Sequence, residues 1–267
     1  MENHWHPKAL RHSLPPEGAI AGVRLLTYGA GSTEPWHAHE QGQLIFTTAG
    51  VVRIQTEQQV WILAPFQALW LPGGIPHQLY AINPVTTSNV YLTADASRQY
   101  STDFRCLQVT PLLQALVEEL VVAPLPHGVA RHEALTALLY NELSWVPPAR
   151  VCQIVFPLDR RARTVCDALC QAPANNETLA CWGQKVGASE RTLARIFREQ
   201  TRHSFAGWRQ NLRLAEAICY LAQGQSIKRL SAELGYQSTS AFIAMFRKQL
   251  GTTPQRFLQK NEVSLPA

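Results

Sequence analysis

The sequence predicts a two-domain α+β chain, with an antiparallel β-barrel followed by helices in its amino-terminal half and an all-α carboxy-terminal half carrying two helix-turn-helix units. Three observations predict it. Between residues 23 and 92 the text is made of short β-prone runs broken by Gly, Pro and Gln, the spacing of an antiparallel sandwich or barrel. From residue 111 onward the apolar period becomes helical. One pattern of capping serine, apolar spacing and buried aromatic then occurs twice, from Ser189 to Phe197 and from Ser238 to Phe246, at the same interval and each followed by Arg. Charge divides along the same line. Within a net charge of +5, residues 1–158 hold 8 basic and 11 acidic side chains, while residues 159–267 hold 16 and 8.

Residues 1–16 read as a flexible arm rich in His, Pro and polar residues, with His4 and His6 in solvent. The arm has neither a basic start nor an apolar core, so it does not read as a secretory leader. The six cysteines form no CxxC pair and read as reduced, mostly buried thiols of a cytoplasmic protein. Cys166 and Cys170 stand one helical turn apart, without a neighbour that argues for a low thiol pKa. No apolar run is long enough to span a membrane.

The barrel occupies 17–105, with strands expected at 23–28, 43–48, 51–56, 60–63, 68–71, 77–82 and 88–92, and a hairpin turn at 56–59. Trp36, Trp61 and Trp70 read as core or cavity edge. His37 and His39, two apart on a strand, project from one face, and His77 joins them from another strand. With Gln43 they make a set of three imidazoles plus a fourth ligand, suited to one divalent transition metal: zinc, nickel, iron, manganese or copper. Without metal the same side chains line a polar ligand cavity. The run Gly31-(five)-His37-Ala38-His39-(three)-Gln43-(six)-Gly50 resembles the first cupin motif, and Pro72-Gly73-Gly74-Ile75-Pro76-His77 the core of the second. Gln43 stands where that motif has Glu, and Ala81 where the second has a terminal Asn.

Residues 106–156 read as a helical dimerisation segment and connector. Amphipathic stretches at 111–122 (Leu112, Leu113, Leu116, Leu120) and 132–143 (Leu135, Leu138, Leu139, Leu143) flank the break Pro124-Leu125-Pro126, and 151–156 is either a strand or a connector. The apolar rows can pack on the barrel or against a second chain.

The last domain, 157–267, starts with a linker at 157–161 and a helix at 163–170. In the first unit, about 179–201, Ser189 caps the second helix, Gly187 makes the turn and Gly183 lets the helices cross closely. Leu179, Val186, Leu193, Ile196 and Phe197 bury together. Glu190, Arg191, Thr192, Ala194 and Arg195 are left to read DNA, with Arg198 beyond them. A helix at 205–222, stopped at Gly224, leads to the second unit, about 227–250, whose outer residues are Gln237, Thr239, Ser240, Ala244, Arg247 and Lys248. Arg191 and Arg195 suit guanine edges in a major groove; Arg198, Arg247 and Lys248 suit phosphates.

The string Ala232-Glu233-Leu234-Gly235-Tyr236-Gln237-Ser238, followed by Phe242, Phe246-Arg247, Leu250-Gly251 and Thr253-Pro254, makes residues 178–258 resemble the DNA-binding domain of the AraC/XylS family of bacterial transcription regulators. That resemblance implies two helix-turn-helix units in successive major grooves of double-stranded DNA, a cupin-like sensor for a small-molecule effector, and a homodimer. It also implies a cytoplasmic, nucleoid-associated activator or repressor that meets RNA polymerase where it activates, with a neighbouring transporter or catabolic gene as the habitual target. The rival reading is a metal-dependent cupin enzyme fused to a helical domain. Gln43 and Ala81 count against catalysis, so no enzyme is expected. A helical protein-interaction module leaves Arg191 and Arg195 unexplained.

Overall fold

The computed structural model describes residues 18–122 and 128–257. The expected arm with His4 and His6, the break at 124–126 and Leu258 lie outside the described residues. The amino-terminal half is a sandwich of two five-stranded antiparallel sheets. The first, in order β1-β8-β3-β6-β9, joins Ile20–Tyr28, Val85–Leu92, Gly42–Ala49, Gln67–Leu71 and Arg105–Gln108. The second, β10-β5-β4-β7-β2, joins Cys152–Val155, Gln59–Leu63, Val52–Gln55, His77–Ala81 and Thr33–His37. The expected α+β two-domain, cupin-like architecture is therefore present.

Alternation along each strand decides what covers each face. Ile45, Leu69 and Leu71 from the first sheet meet Val52, Ile54, Trp61, Leu63 and Leu79 from the second, forming the layer between them. Leu44, Phe46, Ala68 and Trp70 point the other way and are covered by α2 (Pro111–Val122) and α3 (Val129–Glu142). Two elements were missed by sequence pattern. α1 (Ala94–Tyr100) is short and capped by Thr93, and its Tyr100 packs edge-on against Trp70. β9 carries charged and polar residues and is recognised only through its pairing with β6.

The leucine rows divide differently from a dimer seam. Leu113, Leu116, Leu120, Leu139 and Leu143 are buried in this chain's own core, while Leu112 and Leu138 are exposed. The expectation that the rows Leu112/Leu116/Leu120 and Leu135/Leu139/Leu143 meet a second chain is therefore corrected: Leu116, Leu120, Leu139 and Leu143 are buried in this chain, Leu135 is half-buried beside them, and of the six Leu112 alone is exposed.

Past β10 the chain is helical: α4 (Arg160–Gln171), α5 (Leu179–Val186), α6 (Glu190–Ile196), a wider π turn (Phe197–Thr201), α7 (Phe205–Ala222), α8 (Ile227–Glu233) and α9 (Thr239–Leu250). Val60 and Ile62 of β5 and Cys152 and Ile154 of β10 face this domain and share one core with Val165, Phe197, Trp208, Leu212, Ile218 and Phe246. The 151–156 run is thus a strand, and it ties the halves together. Trp208 Nε1 donates to the Val155 carbonyl at 2.7 Å, and Arg53 of β4 reaches Glu216 of α7 at 3.7 Å.

Candidate functional site

Strand pairing builds the first site. β2 and β7 run antiparallel with His37 opposite His77, so both imidazoles leave the same face of the second sheet. β2 ends at His37, so His39 sits just past the strand rather than on it, in a loop fixed by Gly74 N donating to the His39 carbonyl at 2.8 Å. Gly73 is required beneath that loop, because a Cβ there would stand 2.0 Å from the Glu40 carbonyl oxygen.

Each ring is oriented by its own backbone. Nδ1 of His37, His39 and His77 lies 2.8, 2.6 and 2.8 Å from the carbonyl oxygens of Pro35, Gln41 and Ile75. A proton on each Nδ1 satisfies these bonds and leaves all three Nε2 lone pairs facing inward, as a metal-binding imidazole needs. The three rings supply donor atoms within 4.8 Å of one another. His77 is buried and its Nε2 has no hydrogen-bond partner among the described residues. Burial also pushes the His77 pKa below the ordinary imidazole value, so the ring is neutral and its orphan lone pair is available. These residues fit a divalent ion bound by imidazole nitrogen.

Gln43 is placed at the site but is otherwise occupied. Its side chain bridges His39 Nε2 (3.0 Å), Asn89 Oδ1 (3.0 Å) and the Tyr91 hydroxyl (3.2 Å). The Gln43 contact is to His39 Nε2, the same atom a metal would take, so the amide and an ion compete for that lone pair. Trp61 and Trp70 are core residues, whereas Trp36 is exposed. Sequence reasoning missed Glu34, whose carboxylate stands 3.6 Å from His37 Nε2, and Tyr28, whose hydroxyl donates to Glu34 at 2.7 Å.

The second site is the outer surface of the helical domain. Gly187 takes the left-handed conformation (φ 66°), and Ser189 Oγ accepts from Thr192 N. A Cβ on Gly183 would meet the Ala188 carbonyl at 2.4 Å, which is the close crossing the sequence suggested. In the second unit Gly235 makes the turn (φ 76°) and Ser238 Oγ accepts from Ala241 N. The copies are joined through α7. Arg213, almost fully buried, donates to the carbonyls of Pro173 and Asn175 and lies over the Tyr236 ring.

Glu190, Arg191, Arg195 and Arg198 are exposed on the first unit, as are Gln237, Ser240, Ala244, Arg247 and Lys248 on the second. Ser240, Ala244, Arg247 and Lys248 line a shallow groove of about 670 Å³. Two candidates have their hydroxyls engaged by serines of their own unit instead. The Thr192 hydroxyl lies 2.8 Å from Ser189 Oγ, and that of Thr239 lies 3.1 Å from Ser231 Oγ; both residues are half-buried. Arg195 is held by Glu199, one turn on, at 2.7 Å. Glu199 lies past the last apolar position of the repeated pattern, in the wider turn Phe197–Thr201, where no local signal marks it.

Residues 22–143 match the model of the AraC-like ligand binding domain, and residues 182–260 that of a helix-turn-helix domain. Over 237 residues the chain is 32% identical to the HTH-type transcriptional regulator NimR of Escherichia coli strain K12, covering 85% of this chain and 83% of that protein. It is 36% identical over 102 residues to the HTH-type transcriptional regulator RipA of Corynebacterium glutamicum, covering 38% of this chain and 31% of that one. The solved structure of ToxT from Vibrio cholerae aligns over 89% of this chain and 97% of its own, at 11% identity and a TM-score of 0.40. Among the described residues no helix is long and apolar enough to cross a membrane.

Proposed function

We propose that this chain, which belongs to the AraC/XylS family of DNA-binding transcription regulators, places α6 and α9 in successive major grooves of a promoter site and adjusts that binding to what occupies its barrel. The family is one of regulators, so the enzyme reading is set aside. The observation that carries the DNA reading is the doubled geometry: two left-handed glycine turns, two serine caps and two outward helix faces, bridged by the buried Arg213.

In this reading Arg191 and Arg195 supply direct contacts to bases, because an arginine fork matches guanine O6 and N7. Arg198, Arg247 and Lys248 hold phosphates, Gln237, Ser240 and Ala244 make softer base contacts, and Glu190 borders the first reading face. Thr192 and Thr239 contribute through the helix starts they secure. His37, His39 and His77 would hold one divalent ion, which supplies Lewis-acid coordination for an effector atom or is itself the signal. The protein's own part is to fix three ring tautomers through backbone carbonyls and to keep His77 dry. The barrel with its following helices and the helical domain are the working units, and a homodimer joined through surfaces outside the buried leucine rows is the assembled state. Control of a neighbouring transporter or catabolic gene, with RNA polymerase contacted where it activates, is the expected setting.

Capture of genomic fragments by the purified chain, followed by sequencing, tests this reading. A shared sequence motif is expected, lost in an Arg191→Ala, Arg195→Ala double variant and kept by His37→Ala. Uniform capture of all fragments by the wild-type chain would overturn it.

A further inference from the structure

The barrel site lacks an anionic donor at the position where its motif predicts one, and Gln43 is a poor replacement. A primary amide is neutral, and this one is already engaged by Asn89, Tyr91 and His39. A carboxylate is nevertheless present, on the other side of the site. Glu34 Oε1 lies 3.6 Å from His37 Nε2. Two donors on one tetrahedral ion, with bonds of about 2.1 Å, stand roughly 3.4 Å apart.

We propose that Glu34 is the anionic ligand of the metal centre formed by His37, His39 and His77, and that Gln43, whose amide contacts the His39 Nε2 that the ion would use, is not a ligand. The proposal rests on the metal reading of that site.

Three features support it. The first is how Glu34 comes to face the site at all. Residues three apart on a regular strand point to opposite faces. Between Glu34 and His37 the register of β2 against β7 shifts, so Glu34 pairs with Leu79 while His37 pairs with His77. Leu79 and His77 are both buried and two apart on β7, so the irregularity brings Glu34 and His37 to the same inner face. An irregularity of this kind re-aims side chains beside functional sites.

The second feature is that Glu34 is held. The Tyr28 hydroxyl donates to Oε2 at 2.7 Å. One carboxylate oxygen is thereby fixed while Oε1 stays on the His37 side. Such an outer hydrogen bond to a ligating carboxylate orients it.

The third is charge. Three neutral imidazoles leave a divalent ion with its full charge in a partly buried pocket, and one carboxylate halves it. Glu34 Oε1 lies outside the tighter set made by the three ring nitrogens and stands beside one of them, His37 Nε2.

The test uses the full chain and Co(II), followed by competition with a chromophoric chelator and by the visible ligand-field spectrum. Glu34→Gln, which keeps shape and removes charge, is expected to weaken Co(II) binding about tenfold to a hundredfold, with altered band positions. Tyr28→Phe leaves the carboxylate but frees it, and is expected to weaken binding by a smaller factor with the wild-type spectrum retained. It stands in if Glu34→Gln does not fold. Gln43→Ala is expected to change affinity less than Glu34→Gln and to leave the bands in place. The proposal is overturned if Glu34→Gln keeps both affinity and spectrum, if Tyr28→Phe keeps full affinity, or if Gln43→Ala causes the larger loss. His37→Ala separates the two levels: a wild-type chain that binds no Co(II), or binds it as well with His37→Ala, removes the metal centre itself and this proposal with it. A His37-dependent site indifferent to Glu34 removes only the proposal.

Discussion

With Arg195 reading a base as proposed, the ion pair with Glu199 sets how freely it reaches DNA. The pair spans one helical turn, 2.7 Å between Arg195 Nη1 and Glu199 Oε2, with both side chains more than half exposed. Solvent screening limits such a pair to about 0.2–1 kcal/mol. Arg195 must leave Glu199 before its fork can meet a guanine edge, so that amount is subtracted from its contribution to DNA binding. Glu199→Gln is therefore expected to tighten binding by roughly 1.4- to 5-fold at fixed salt, the same energies expressed as affinity ratios. Folding stability should change by less than about 1 kcal/mol. The assay is fluorescence anisotropy on a duplex selected from a random pool by the wild-type chain, repeated in the Arg195→Ala background. Arg195→Ala alone should cost ~1–3 kcal/mol and relax preference at one or two base pairs. If Glu199→Gln tightens binding equally with and without Arg195, its charge acts on the phosphates at large and the restraint is not real. An unchanged consensus for Arg195→Ala, with uniformly lower affinity, would assign Arg195 to the backbone instead.

Other outcomes follow from the same geometry. Gly183→Ala drives a Cβ to 2.4 Å from the Ala188 carbonyl, so a loss of about 1–3 kcal/mol is expected, visible as a Tm lower by several degrees and as weakened DNA binding, while Co(II) uptake by the barrel persists. Leu116→Glu places a charge in the barrel core and should destabilise the monomer itself; Leu112→Glu and Leu138→Glu alter exposed positions and should leave Tm within about 0.5 kcal/mol equivalent, changing at most the sedimentation coefficient. Wild-type behaviour of Leu116→Glu in thermal unfolding would contradict the burial. Trp208→Phe leaves the Val155 carbonyl without its indole donor and should cost about 1–3 kcal/mol; no loss would mean that water replaces the bond.

The helical half was largely legible because its signals are local, although α4 begins at Arg160, inside the expected linker, since Asp159 caps it by accepting from Arg161 N. Ser189, Ser204, Ser226 and Ser238 each cap the helix that follows, and Gly187, Gly235 and Gly251 take left-handed turns, so boundaries were written in single side chains. The barrel was legible as a set of strands and less so as a site. Glu34 escaped because a regular two-residue period puts it on the wrong face, and the irregularity that corrects this depends on pairing with β7, a contact distant in sequence. α1 escaped because seven residues with Asp, Ser, Arg and Gln have too little apolar period to register. The docking of the two halves did leave a trace. Val60-Trp61-Ile62-Leu63 is apolar without alternation, which a strand covered on only one face does not need; Trp61 and Leu63 fill the sandwich, and Val60 and Ile62 meet the helical domain.

That docking gives the second sheet two roles at once. Its β2 and β7 carry His37 and His77 on the inner face, and β4, hydrogen-bonded directly to β7, sends Arg53 from its outer face to Glu216 and Cys219 on α7. α7 is also the helix that connects the two DNA-reading units. The route from the histidines to α7 thus crosses one strand spacing, about 4.8 Å, and one side-chain contact. The polar part of that contact is not optimised. Arg53 and Glu216 stand 3.7 Å apart, Arg53 Nε has no partner among the described residues, and burial raises the Glu216 pKa despite the guanidinium beside it. Desolvation outweighs attraction at Glu216, whereas at Arg53 the attraction of Cys219 and Glu216 outweighs it, so at 3.7 Å the pair is at most weakly favourable. Apolar contacts and the Trp208 bond to β10 hold the halves together instead. β4 is the strand next to the one that bears His77, so the contact with α7 lies one strand from the histidines, while β5 and β10 carry the apolar docking.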